Sequence, residues 1–163
     1  YLSLEHMYPT VVIRTATKED LDPAVSLVVR LKRLNAEFDP MLQVTPEIEQ
    51  VTKQYLEEAL NNPSSVLLVA VEGNKVIGVL KGDVEDRKFY KPRYVGVIKE
   101  FYILPEYRRK GLGKRLMAEG IDQLRKKGAE VIMASFPALN DIAINFYKKM
   151  GFRPVEYIFA KEV

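Results

Sequence analysis

Arg108, Arg109, Lys110, Gly111, Leu112, Gly113 and Lys114 form a basic, glycine-containing turn between an apolar run and a helical pattern. Glycine lets backbone approach a ligand closely because no Cβ stands between them. The first N–H groups of a following helix have no intrahelical partner and carry the positive end of its dipole. This pattern of residues describes an anion site suited to a phosphate or pyrophosphate. Arg115 adds another positive charge.

Three kinds of turn exploit this physics. A Walker loop needs a Ser or Thr hydroxyl after its lysine to hold magnesium, and Arg115 follows Lys114 here. A dinucleotide fingerprint needs a third glycine within a βαβ unit. Here the third position is Leu116, and the chain opens with one strand and two helices. The remaining pattern is Arg-x-x-Gly-x-Gly after a strand that ends in a Pro105-Glu106-Tyr107 turn.

That turn resembles the coenzyme A loop of the GNAT superfamily of N-acetyltransferases. A second motif, Asn140-Asp-Ile-Ala-Ile-Asn-Phe146-Tyr147-Lys-Lys-Met-Gly151-Phe152, is similar to the family's Asn-x-x-Ala-x-x-Phe-Tyr-x-x-x-Gly-Phe signature. The two occur in the family's order and at its separation. The resemblance covers roughly residues 65 to 159, with a looser match at the N-terminus. It implies a mixed, mostly antiparallel sheet flanked by helices, an α/β (α+β) fold, which opens between its fourth and fifth strands to admit the pantetheine arm. It also implies acetyl-CoA as cosubstrate, no metal, and direct attack of an amine on the thioester.

The roles the resemblance implies fall on particular residues. Arg108 to Lys114 would hold the pyrophosphate. Main chain of Phe101, Tyr102 and Ile103 would bind the thioester carbonyl, and Asn140 would reach the pantetheine. Tyr147 would return a proton to the departing thiolate, a task suited to a phenol of pKa about 10. An acceptor ammonium of pKa about 10.4 is neutral only about once in a thousand at pH 7, so a carboxylate or water relay helps. Glu100 adjoins the acetyl-binding segment and is the candidate, with Asp83 and Glu85 weaker ones.

Each assignment has an ordinary structural counterpart. Ala143, Phe146, Tyr147 and Met150 form an apolar helical stripe that could be plain core. Asn140 could be a helix N-cap. Glu100 could simply pair with Lys99 or Arg93. Tyr90, Tyr94, Phe89 and Arg93 read as loop decoration. The alternative function classes are a coenzyme A-binding regulatory module without catalysis and a nucleic-acid binder using the basic turn. The second is disfavoured because the cluster is short and has no stacking aromatic array. The acceptor could be a small amine or a peptide amine, and a homodimer is compatible with the family.

The elements that must position these groups follow from periodicity. The chain has 163 residues, 47% hydrophobic, with net charge +3 and no cysteine. One domain with one core is expected, without disulfides or thiolate chemistry. No apolar run reaches the roughly 18 residues of a membrane span, and the cytoplasm is the simplest location. Leu4-Glu5-His6-Met7 reads as a cloning scar, so residues 1–6 are taken as foreign and 7–163 as the domain. The sequence predicts strands at 11–14, 66–71, 76–84, 95–104, 131–135 and 152–160. It predicts helices at about 17–36, 45–61, 111–127 and 141–150. The order is β-α-α-β-β-β-α-β-α-β.

Overall fold

A computed structural model of the protein describes residues 10–108 and 110–163. The proposed scar, the start at Met7 and the side chain of Arg109 lie outside the described residues. Five strands form one sheet in sequence order: β1 (Val11–Thr15), β2 (Ser65–Glu72), β3 (Lys75–Asp86), β4 (Tyr94–Ile103) and β5 (Val131–Ala134). The first four are mutually antiparallel and β5 runs parallel to β4. The helices are α1 (Leu21–Asn35), α2 (Ile48–Leu60), α3 (Leu112–Lys126) and α4 (Asp141–Lys149). The expected mixed, mostly antiparallel sheet with flanking helices is present.

Local chemistry explains the element ends. Asp20 accepts the Thr17 N–H at 2.7 Å and both terminal nitrogens of Arg14, which ties β1 to the turn that opens α1. Gly111 immediately precedes α3 with φ of +80°, a left-handed conformation that is costly for residues with a Cβ. Thr45-Pro46 lies two residues ahead of α2, which begins at Ile48.

Alternation along β3 sorts the two faces of the sheet. Gly78 and Gly82 turn toward Leu116 and Leu124 of α3, while Lys81 lies under the Tyr55 ring of α2 on the opposite face. Gly120 of α3 rides on Leu80: a Cβ there would come within 2.6 Å of a Leu80 methyl. The buried aliphatic residues of β2 and β3, with Val28, Leu56, Leu116, Met117 and Leu124, make one continuous core.

One expected element is absent. Residues 152–160 form no strand; the Phe152 N–H still donates to the Tyr147 carbonyl at 2.9 Å, and among the described residues no paired main chain follows it. The sequence has strand character there, but a strand exists only when a neighbour completes its hydrogen bonds, and here none does.

Candidate functional site

The site is built where β4 outruns β5. Pairing between them covers Val95 to Ile98 on β4 and ends at Ala134 on β5. Beyond it, β4 continues to Ile103 with no strand on that side, so the sheet opens between its fourth and fifth strands as expected. The Leu104 N–H donates to the Ile77 carbonyl at 2.9 Å. In an antiparallel pair, hydrogen-bonded and non-bonded positions alternate. The N–H groups of Phe101 and Ile103 therefore point away from β3 and into the opening.

The basic turn stands at the mouth of this opening. Gly113, in the first turn of α3, lies against Phe101 and Ile103 of β4 and Phe146 of α4; a Cβ added there would meet all three at 3.6–3.8 Å. The first turn of α3 has no acidic residue and no side-chain cap, so no side chain competes for its outward amides. Leu112 is buried and anchors the turn in the core, while Lys114 is exposed. Arg108 folds back: its Nε donates to the Ile103 carbonyl at 2.7 Å and its guanidinium lies 4.9 Å from the Tyr102 ring centroid. That ties the turn to the end of β4. Arg115 reaches the Val11 carbonyl at 3.3 Å, a direction the sequence did not suggest.

Aromatic rings line the far wall. Phe101 stacks on Phe146 with centroids 5.4 Å apart, and Phe146 meets Tyr147 edge-on at 5.3 Å. Tyr147 in turn stacks on Phe136 at 5.0 Å and contacts Phe152 at 5.2 Å. Burial pushes the Tyr147 phenol up to about 12, so it keeps its proton throughout the neutral range. The Asn140 side-chain oxygen accepts the Ala143 N–H at 3.0 Å, so Asn140 does cap α4. Its amide nitrogen is a separate donor.

Glu100 is buried, and its neighbours differ from those the sequence suggested. The Tyr55 hydroxyl donates to Oε2 at 2.8 Å. The Lys32 ammonium lies 2.6 Å from Oε1 as an ion pair, off the direction of a good hydrogen bond. Lys99 pairs instead with Glu85 and Arg93 with Asp86. A bulge explains the change: Lys81 faces Glu100 and Gly82 faces Ile98, leaving Lys99 unopposed. Burial and then the Glu100 carboxylate push the Tyr55 phenol far above its usual range. Beside them, Lys81 pairs with Asp83 at 2.6 Å, and Asp83 also accepts the Ser65 hydroxyl. Asp83 and Glu85 are thus both held in ion pairs.

The structure brings Phe101, Ile103, Gly113 and Tyr147 around one opening and places Glu100 on the α1–α2 face beside it. Sequence reasoning missed Lys32 and Tyr55 as partners of Glu100. Tyr55 carried a signal, as an inward-facing tyrosine of α2, but Lys32 at the end of α1 did not. Among the described residues no three metal-ligating side chains cluster, and no helix is long and apolar enough to cross a membrane.

Comparison with known proteins bears on the family and the fold. The model of the acetyltransferase (GNAT) family matches residues 30–152. An aminoalkylphosphonate N-acetyltransferase of Salmonella typhimurium is 23% identical over 96% of this chain and 94% of its own length. An uncharacterised N-acetyltransferase of Methanocaldococcus jannaschii is 24% identical over 96% of this chain and 67% of its own. Among solved structures, a tetramutant protein of Bacillus halodurans superposes with a TM-score of 0.82 at 17% identity, over 93% of this chain and 99% of its own. The aminoglycoside 6'-N-acetyltransferase of Acinetobacter haemolyticus does so with a TM-score of 0.73 at 18% identity, over 93% and 99%.

Proposed function

Because the chain belongs to the GNAT family of acetyltransferases, we propose that it transfers the acetyl group of acetyl-CoA to a primary amine at the opening between β4 and β5. The observation that carries this reading is the convergence of two sets of unpaired main-chain donors. Those of Phe101 and Ile103 face the opening, and those of the first turn of α3 stand at its mouth beside Gly113.

In this reading the α3 amides and the basic turn hold the pyrophosphate, with Lys110 and Lys114 supplying mobile charge and the Gly111 conformation setting the approach. The Phe101 or Ile103 N–H receives the thioester carbonyl and stabilises the charge that grows on its oxygen as the amine adds. A donor of this kind contributes about 3 kcal/mol. The new bond joins the amine nitrogen to the acetyl carbon; the carbon–sulfur bond breaks and the thiolate takes the Tyr147 proton. Solvent then restores the phenol.

The amine must lose a proton. Glu100 immediately precedes the acetyl-binding main chain, and Lys32 pairs with it in the free protein. A cationic acceptor would compete with the Lys32 ammonium for that carboxylate, directly or through water. We assign amine binding and proton relay to Glu100, and to Asn140 a hydrogen bond to the pantetheine from its free amide nitrogen.

The acceptors named for relatives, aminoalkylphosphonates and aminoglycosides, are both amines. The test is a screen for thiol release from acetyl-CoA over these compounds, polyamines, amino acids and peptides. Amine-dependent turnover supports the reading. Coenzyme A binding without turnover on any amine would indicate a regulatory module instead.

A further inference from the structure

A buried charged cluster surrounds Glu100 on the α1–α2 face of the sheet. Glu100 is 4% exposed, and Lys81, directly across from it on β3, is 6% exposed. Lys81 is already committed: its ammonium lies 2.6 Å from Asp83 and 4.5 Å from the Tyr55 ring centroid. The Tyr55 hydroxyl donates to Glu100 Oε2, and burial keeps that phenol protonated.

Glu100 Oε1 is different. It is buried and accepts no well-directed hydrogen bond among the described residues, although the Lys32 ammonium lies 2.6 Å away. A buried carboxylate oxygen in this state has room for a better donor. Lys32 is able to leave. It reaches Glu100 from the last turn of α1, and its side chain is 36% exposed, so its ammonium can swing toward water.

The charges select what can replace it. Two ammoniums, Lys32 and Lys81, face two carboxylates, Glu100 and Asp83. An acceptor ammonium that takes Glu100 from Lys32 strands the Lys32 charge beside Arg33 of the same turn. A second positive charge on the acceptor would add repulsion, and a neutral tail would leave the displaced ammonium unpaired. An acceptor with its own anionic group replaces one ion pair by two and leaves the total charge unchanged.

We propose that the preferred acceptor is a zwitterion, a primary amine with a carboxylate, phosphonate or phosphate a few bonds away, and that Lys32 determines this specificity. Displaced from Glu100 by the acceptor's ammonium, Lys32 pairs with the acceptor's anion. This rests on the assignment of amine binding to Glu100 and deepens it. The reacting nitrogen is the one held by Glu100, so Lys32 touches no reacting atom. The exchange needs only a short spacer: the displaced ammonium moves by one ion-pair distance, ~4 Å, which two or three carbons span.

Steady-state kinetics with short amines that differ in their tails tests this. Aminopropylphosphonate and β-alanine carry an anion, diaminopropane carries a cation, and propylamine carries neither. Rates are compared per neutral amine, which removes differences in acceptor pKa. Both anionic-tailed amines should show kcat/KM on the order of tenfold above propylamine, and higher still above diaminopropane. Lys32→Met should abolish that preference and Lys32→Arg should keep it. Each ratio is taken within one preparation, so a loss of folded protein cancels. A parent enzyme that turns over all four alike, or that prefers diaminopropane, overturns the inference and leaves the acetyl-transfer reading standing. So does a preference that survives in Lys32→Met. Turnover of no amine at all overturns that reading, and this inference with it.

Discussion

Phe101 of β4 and Phe146 of α4 stack across the place where β5 has ended, with ring centroids 5.4 Å apart. The pair links the strand that offers main-chain donors to the helix that carries Tyr147. Gly113 faces both rings from α3. Three elements therefore meet at the opening through one small contact, and substitutions there separate stability from binding.

Gly113→Ala should fold as well as the parent or slightly better. Its Cβ would make ordinary contacts at 3.6–3.8 Å, and alanine in a helix is favoured over glycine by about 1 kcal/mol. Gly113→Leu should instead project into the opening and reduce acetyl-CoA affinity at least about tenfold, or 1.4 kcal/mol. Calorimetric titration with thermal melts on both variants checks this. Equal affinity for the leucine variant would remove the turn from the binding site.

Tyr147→Phe should lower turnover roughly a hundredfold while changing coenzyme affinity little, the signature of a lost proton donor. The phenol's folded pKa is raised from 10.0 to about 12 by burial. Its neutral form therefore contributes stability that is complete below pH 10 and lost as pH rises through about 12, on the order of 2 kcal/mol in all. Alkaline unfolding curves of the parent and the Phe variant should diverge only above pH 10. Unchanged turnover would leave Tyr147 as packing alone.

Lys32→Met should destabilise the fold by on the order of 2 kcal/mol, because it leaves the buried Glu100 carboxylate with Tyr55 as its remaining partner. The figure is held below that of a fully buried pair because the Lys32 side chain is 36% exposed. Adding Glu100→Gln should recover part of the loss, and denaturant melts of the two singles and the double measure that coupling. Simple additivity would show the two side chains to be independent. In the active enzyme Glu100→Gln should slow the reaction chiefly below the acceptor's pKa.

How much of this was legible in the sequence differs by element. The apolar runs of β2 and β3 and the stripe Leu112, Leu116 and Leu124 of α3 declared their elements, because burial leaves a period that local sequence carries. The turn at Gly111 was legible because a left-handed residue ahead of a helix favours glycine. The setting of Glu100 was not. Its partners lie 68 and 45 positions away on two helices, and the unopposed Lys99 resets the alternation by which a strand face is read. Arg108 looked like a ligand group, yet its Nε serves the Ile103 carbonyl. The segment after Phe152 looked like a strand because its composition is that of one, but pairing depends on a neighbour that its own sequence does not name.

Gly120→Ala should cost up to about 2 kcal/mol despite the better helix former. The added methyl would lie 2.6 Å from a Leu80 methyl inside the core, and overpacking of about 1–3 kcal/mol outweighs a propensity gain of about 1. Chemical denaturation measures it, and a stabilised variant would show that α3 can lift off β3 freely.

The most direct test of the binding geometry is an NMR titration of the parent protein with acetyl-CoA, followed through the amides of Phe101, Ile103, Leu112, Gly113 and Lys114. Saturable shifts at both groups, the strand end and the helix start, with one shared affinity are the predicted result. Shifts confined to other surfaces, or none that saturate, would contradict the placement of the cosubstrate.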